Sequence, residues 1–315
     1  MLSRTASELY WLSRYLERAE NTVRMLDVSF TVSMMPNKEI AVQELIAPLK
    51  ISSTYDDFME RYGIVNRDTI LQFFALDTLN PSSVISCLNS ARDNAKSVRG
   101  KISSESWEAI NSTWIDLQAM KRSGSVGDAA VGDASRFFDW VKERSHLYRG
   151  AVYGTSLRND AFRFLRLGTF LERADNTARI LDVKYQIENQ QDDEGSLEYY
   201  RWVAVLRSLG AYEAYQDIFG DRITPEKVAQ LLILRAEVPR SIRACLEATN
   251  DILQDIEGKS GQAAKRLVAV QYARIQFGDS DYIFRETGLH SYLTDFLARI
   301  ETIANSIHTA YMEAV

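Results

Sequence analysis

The chain of 315 residues is poor in the residue types that build most catalytic and metal centres, with 3 His and 2 Cys. None of His146, His290 and His308 has a Glu, Asp or Cys at a recognised metal spacing. The Glu-x-x-His pairs of a di-iron bundle are absent. No Gly-rich phosphate loop, nucleophile elbow or zinc motif occurs. Neither a metal nor a cofactor is therefore expected. His146 reads as a helix-end or core histidine. Cys87 and Cys245 fall at unmatched positions of the two halves described below, in apolar helical contexts, and read as buried free thiols of a reducing compartment. No run of about 18 apolar residues exists, which argues against a membrane span. The opening MLSRTASELYWLSRYLER lacks an apolar core of signal-peptide length, so a cytoplasmic, soluble protein is expected. A net charge of −6, a pI near 5.3 and no Lys/Arg block argue against a general nucleic-acid binder.

Proline and glycine are also scarce, at 5 and 15 residues, against 46% hydrophobic content. Apolar residues recur at three- and four-residue steps through Leu9, Leu12, Leu16, Ala19, Val23, Leu26 and Phe30. They do so again through Leu293, Phe296, Leu297, Ile300, Ile303 and Ile307. That period is helical. No convincing strand alternation appears, and the fold class read from the chain is all-α. Tyr10, Trp11, Tyr15 and Phe170 read as core. Polar, small-residue connections are expected over Lys121 to Ser135 and over Asn189 to Ser196.

What the chain does have is repetition. LERAENTVRMLDV, from Leu16 to Val28, returns as LERADNTARILDV from Leu171 to Val183, 155 residues later. A second pair sets Asn80 to Arg99 against Thr224 to Arg243. A weaker one joins Ile46, Leu49 and Tyr55 to Val203, Leu206 and Tyr212. The order is the same each time, and a repeat of half a chain is too long for a solenoid. Two tandem-duplicated helical-bundle halves, 1–145 and 146–315, are expected to pack together about a pseudo-two-fold axis. Asn80 and Thr224 are expected to cap helices whose first residues are Pro81 and Pro225. Gly100 is expected to close the first of these helices and Pro239 to kink the second.

Most of the repeated letters are polar. Glu17, Asn21 and Arg24 share one helix face, as do Glu172, Asn176 and Arg179. Arg18 and Arg173, with Thr22 and Thr177, lie one position along, and Glu20 and Asp27 match Asp175 and Asp182. Two readings follow. In the first, the faces form a buried network, Glu17 with Arg179 and Glu172 with Arg24, that sets register between the halves. In the second, they converge with Arg92, Asp93, Asn94, Arg240 and Arg243 on a carboxylate or phosphate, which guanidinium groups grip in a bidentate manner.

MLSRTASELYWLSRYLERAENT, FLRLGTFLERADNTARILDVKY, ARDNAKSVR with SESWEAIN, and VPRSIR together resemble the bacterial alpha-E domain family across essentially the whole chain. The family's Glu-Arg motif corresponds to Glu17-Arg18 and Glu172-Arg173. One departure is Thr169, where the family commonly carries an Arg, as the first half does at Arg14. The resemblance implies a helical domain accompanying circularly permuted ATP-grasp proteins and transglutaminase-like proteases in a peptide or amide modification system. The function it implies is a non-catalytic partner that binds the ATP-grasp ligase or its peptide substrate. The alternative is a helical transferase or ligase component with Glu17 or Glu172 as general base and the Arg residues as anion holders. A purely structural homo-oligomer is a third reading.

Overall fold

The computed structural model describes residues 1–124, 126, 131–189, 195–220, 222–256 and 261–313; of these, 38, 39, 131–133, 188, 189 and 195–198 are described by backbone alone. Every regular element among the described residues is helical, so the fold is all-α, as the periodicity predicts. The chain divides into two compact units, Met1–Thr169 and Phe170–Val315.

The first unit contains α1 (Ser3–Val32), α2 (Lys38–Ile51), α3 (Tyr55–Tyr62) and α4 (Arg67–Leu71), which runs into a π-helical turn, Gln72–Leu76. There follow α5 (Val84–Ser97), a 3₁₀ turn (Arg99–Lys101), α6 (Ser104–Ser123), α7 (Val131–Thr155) and the first turns of α8 (Asp160–Asn189). Helix α1 is the hub and packs against α2, α5 and α7; α6 bridges α5 and α7. Its apolar stripe is the reason: Leu9, Leu12, Leu16, Ala19, Val23, Leu26 and Phe30 are all buried. Phe138 meets Phe30 edge-on, and Phe58, Phe73 and Phe74 form a second buried aromatic cluster in the same unit. Of the aromatics expected in the core, Tyr10 is buried. Trp11, Tyr15 and Phe170 are half-buried, because cation-bearing side chains lie over their rings: Arg14 over Trp11, Arg18 over Tyr15 and Arg173 over Phe170.

The second unit holds the remainder of α8, then α9 (Gly195–Ser208), α10 (Tyr212–Phe219), α11 (Pro225–Leu234), α12 (Ile242–Asp255), α13 (Gln262–Gln276), a π-helical stretch (Tyr282–Thr287) and α14 (Leu289–Tyr311). Helices α9, α10 and α11 pack together, α11 also meets α12 and α13, and α13 lies between α12 and α14. The expected C-terminal stripe is buried at Leu293, Phe296, Ile300, Ile303 and Ile307, with Leu297 half-buried at its edge.

Helix punctuation differs from expectation at Asn80, Pro239 and Gly100. Thr224 does cap α11, its side chain accepting from Lys227 N, with Pro225 at the first helical position. Asn80 caps nothing. It is buried in a turn, its Nδ2 donating to Phe73 O at 3.1 Å and its Oδ1 accepting from Ser82 N at 2.9 Å. An Asx turn of this kind satisfies the backbone locally and competes with a helix start. The cap falls three residues on, at Ser83, whose Oγ accepts from Ser86 N at 3.2 Å. Pro239 likewise kinks no helix. It lies between α11 and α12, and Ser241 caps α12 by accepting from Ala244 N at 3.0 Å. Gly100 sits in the 3₁₀ turn, after Val98 has already closed α5.

This register bears on the reading of the cysteines. Cys87 and Cys245 are each the fourth residue of their helix, each buried, each with Sγ directed at the carbonyl of the preceding proline, Pro81 at 3.8 Å and Pro239 at 3.9 Å. Their local settings are alike, and neither is in a disulfide. Ser83→Ala and Ser241→Ala are each expected to lower stability by about 1 kcal/mol through loss of the cap, read by urea unfolding.

The connection expected over Lys121 to Ser135 is shorter than its composition suggests. Lys121–Ser123 finishes α6, Gly124 caps it at φ 74°, and α7 starts at Val131. Of the acidic connection at Asn189 to Ser196, residues 190–194 lie outside the described residues.

Candidate functional site

Glu17, Glu20, Arg24 and Asp27 follow one another on α1 at intervals of three and four, so they form a single strip. Helix α7 packs against it and carries a strip of opposite sign at the same intervals, Lys142, His146 and Arg149. The helices meet in reverse order. Arg149 Nη1 donates to Glu17 Oε2 at 3.3 Å and also to Glu20 Oε2. Glu20 Oε1 takes Arg24 Nε at 2.8 Å and lies 3.8 Å from His146 Nε2. Lys142 Nζ binds Asp27 at 3.0 Å and Asp139 at 2.7 Å. The acids are the buried partners: the side chain of Glu20 is 0% exposed and that of Glu17 2%, against 24% for Arg149 and 56% for His146. Burial works to lower the Lys142 pKa, but Asp139 and Asp27 outweigh it and hold the ammonium charged.

Next to this strip, Ser13 Oγ and the Tyr148 hydroxyl lie 3.4 Å apart in the core. Burial raises the Tyr148 pKa far above its usual 10, the Ser13 contact pulling slightly the other way. A phenol whose folded pKa is raised contributes stability that is full below its unfolded pKa near 10 and is lost as the pH rises beyond it. Tyr148→Phe is expected to blunt the fall in stability above about pH 10, measured by thermal unfolding between pH 8 and 11.

The second unit treats its copy of the motif differently. Glu172 is buried, and Asn176 and Arg179 are half-buried. Arg179 Nε reaches Asp175 at 2.8 Å, as Arg24 reaches Glu20. Thr177 Oγ1 donates to the Arg240 carbonyl at 2.8 Å, tying α8 to the turn before α12. Asp182 takes His290 Nδ1 at 2.6 Å and Gln186 Nε2 at 3.0 Å.

The remaining candidates do different work. Arg92 Nε donates to Asn111 at 2.9 Å across α5 and α6, and Asp93 accepts from Asn89 at 3.2 Å. Asn94 is half-buried on α5. Arg243 Nη1 caps the end of α11 through the Leu234 carbonyl at 3.1 Å. Arg240 is itself buried. Glu17 and Arg24 are thus brought together through Glu20, beside Asn21, which is buried on the same face. Arg92 and Asp93 stand apart on α5, engaged within it and with α6. His146 is neither a core nor a helix-end residue: it lies mid-helix on α7, half-exposed beside Glu20 and Arg24. Sequence reasoning passed over Arg149 and Lys142. The signal available for them was the 142, 146, 149 spacing of cations on a helix facing acids at like spacing. Among the described residues, no group of three or more His, Cys, Asp or Glu side chains is arranged to hold a metal. No helix among them is long and apolar enough to cross a membrane.

Each Glu-Arg pair lies near the middle of a 30-residue helix, with the Glu buried and the Arg over an aromatic ring one turn back. A family model described as a predicted alpha-helical domain with a conserved ER motif matches residues 1–312. The chain belongs to the Alpha-E family. This Alpha-E chain is similar to an uncharacterised protein of Mycobacterium bovis and to two of Mycobacterium tuberculosis, each 22% identical over 316 residues. Those alignments cover 94% of this chain and 35% of each relative, so the chain spans about a third of the length of the curated relatives it matches. No solved structure matches it.

Proposed function

We propose that this Alpha-E domain is a non-catalytic helical partner of an ATP-grasp-type peptide or amide ligase, docking on the ligase or presenting its peptide substrate. The observation that carries this reading is the burial of Glu17 and Glu20 against Arg149. A general base needs an accessible carboxylate within reach of a substrate proton, and these carboxylates are spent on joining α1 to α7. The length of the matched relatives also supports a module that works beside further protein. A transglutaminase-like protease is a further partner on the same reading, and the two buried free thiols suit a reducing cytoplasm.

We also infer that the two units are copies of one ancestral helical set. Supporting this are two eight-residue helices, α3 and α10, each ended by a left-handed glycine, Gly63 and Gly220. The caps Asn66 and Thr224 follow, then Ser83 and Ser241, then Cys87 and Cys245, in the same order each time.

The test is co-elution of the chain with a cognate circularly permuted ATP-grasp protein, together with ADP release measured with and without it. A complex and a rise in ADP release are expected. Absence of both would remove the reading. The alternative, a helical transferase or ligase component, is favoured by one observation: the half-exposed imidazole of His146 beside Glu20 and Arg24. On that reading the isolated chain would turn over an acyl phosphate and lose the activity in His146→Ala while keeping its fold.

A further inference from the structure

The second unit contains a cavity of about 520 Å³ between the end of α13, the π-helical stretch and α14. That volume lies within the range of about 300–1,000 Å³ that small-molecule sites occupy. The π-helical stretches of the chain differ in what they do. In the first unit Phe73, Phe74 and Ala75 of the π turn are buried and serve the core. In the second, Tyr282 is 51% exposed and lines the cavity, with Gly288 at φ 80° ending the stretch. Single π turns within helical regions are frequent at binding sites because the extra residue turns side chains out of the usual register.

The charges around the cavity are unequal in their commitments. Asp295 grips Arg299 twice, at 3.1 Å to Nε and 2.6 Å to Nη2, and Gln271 accepts from Arg299 Nη1 at 3.3 Å. That guanidinium is satisfied. Arg274, in the last turn of α13, has no ion pair or hydrogen bond from its side chain among the described residues. Asp279, which also lines the cavity, likewise has no side-chain partner among them. Tyr292 contributes a neutral hydroxyl: burial first, then Asp295 and Tyr282, push its pKa up to about 12. The apolar surface comes from buried Phe296 and Ile283 and from Phe277, which is 82% exposed at the rim.

We propose that this cavity binds an α-carboxylate adjoining an apolar side chain, the carboxylate on Arg274 and the side chain against Phe277 and Phe296. Arg pairs with carboxylate through two parallel hydrogen bonds, and a single uncommitted guanidinium suits a single negative charge. A phosphate dianion fits poorly, because Asp279 and Asp295 both line the site and would repel the second charge. A large exposed aromatic beside an unpaired cation matches a ligand that is apolar at one end and anionic at the other. Two sources share that chemistry, a peptide C-terminus and a free amino acid.

Isothermal titration of the full chain with N-acetyl-alanyl-phenylalanine, its C-terminal amide, free phenylalanine and inorganic phosphate tests it. The free acid is expected to bind at least about tenfold more tightly than the amide, since the amide leaves a charge-assisted hydrogen bond unmade. Arg274→Gln should weaken the acid by about tenfold and leave the amide unchanged. Phe277→Ala should weaken both, and Arg266→Gln, exposed on the same helix, neither. Thermal unfolding of each variant separates a lost site from a lost fold. Binding of free phenylalanine at the strength of the peptide assigns the amino acid as occupant, and binding of the peptide alone assigns the C-terminus. Equal binding of acid and amide, phosphate binding as tightly as the acid, an unchanged Arg274→Gln, or no heat with any probe at millimolar concentration would overturn the proposal.

Discussion

Replacing Arg149 by Met is expected to lower stability by about 3–5 kcal/mol, the range for removing one partner of a buried ion pair. The side chain of Glu20 is 0% exposed and that of Glu17 2%, so neither can recover hydration when the guanidinium is gone. Glu20 keeps Arg24 at 2.8 Å, which places its share of the loss at the lower end. Packing is nearly conserved in this substitution, because Met fills much of the volume of the Arg stem. The deficit is therefore electrostatic, and a second substitution can show it. In an Arg149→Met background, Glu17→Gln and Glu20→Gln together remove the carboxylate charges that faced the guanidinium and should recover at least half of the loss. Chemical denaturation of the wild type, Arg149→Met, Glu17→Gln with Glu20→Gln, and all three together gives the coupling energy directly. A loss below about 1 kcal/mol, the value of an exposed pair, would show that the α1–α7 strip is not the buried network its geometry describes. Replacing the whole set by apolar residues is a different experiment, and buried ion pairs removed in that way often leave stability unchanged.

Gly168→Ala is the second large effect. A Cβ built on Gly168 overlaps the carbonyl oxygen of Tyr10, lies 3.1 Å from the carbonyl carbon and 3.3 Å from Arg14 Cγ. The obstacle is backbone from α1, so no rotamer change relieves it, and the first turns of α8 have to move away. Overpacking typically costs about 1–3 kcal/mol, and a clash with backbone places this one at the upper end. Helix propensity alone would have Ala improve this position by about 1 kcal/mol over Gly, so the two physical effects predict opposite signs. The contact is expected to win, with a lower midpoint in thermal unfolding. A stabilised Gly168→Ala would mean that α1 and α8 do not touch at this point.

The helical class, the stripe of α1 and the stripe of α14 were legible in the sequence because a period of 3.6 is a local property. The cap at Thr224 was legible for the same reason, since its partner is the amide three residues on. Asn80 has the same letters, Asn then Pro, and misleads because its amide finds Phe73 and Ser82 before a helix can start. Once that start is misplaced, the two cysteines look unrelated, and their like settings four residues after a serine cap show only when Ser83 and Ser241 are seen to cap α5 and α12.

By itself, the sequence determined that this Alpha-E chain is helical, which residues line each apolar seam, and that its Glu-Arg motif occurs twice beside such a seam. Only the tertiary structure decided what the motif faces. Arg149 lies 132 residues from Glu17 in sequence, and the 142, 146, 149 spacing of cations marks a basic strip without saying which acidic strip it will cover. That choice belongs to packing: the burial of the apolar seam brings α7 onto α1, and the charges beside the seam are then paired by position. The cavity at the end of α13 has the same origin, because the π-helical stretch and Arg274 come to line one space only when α14 closes one side of it.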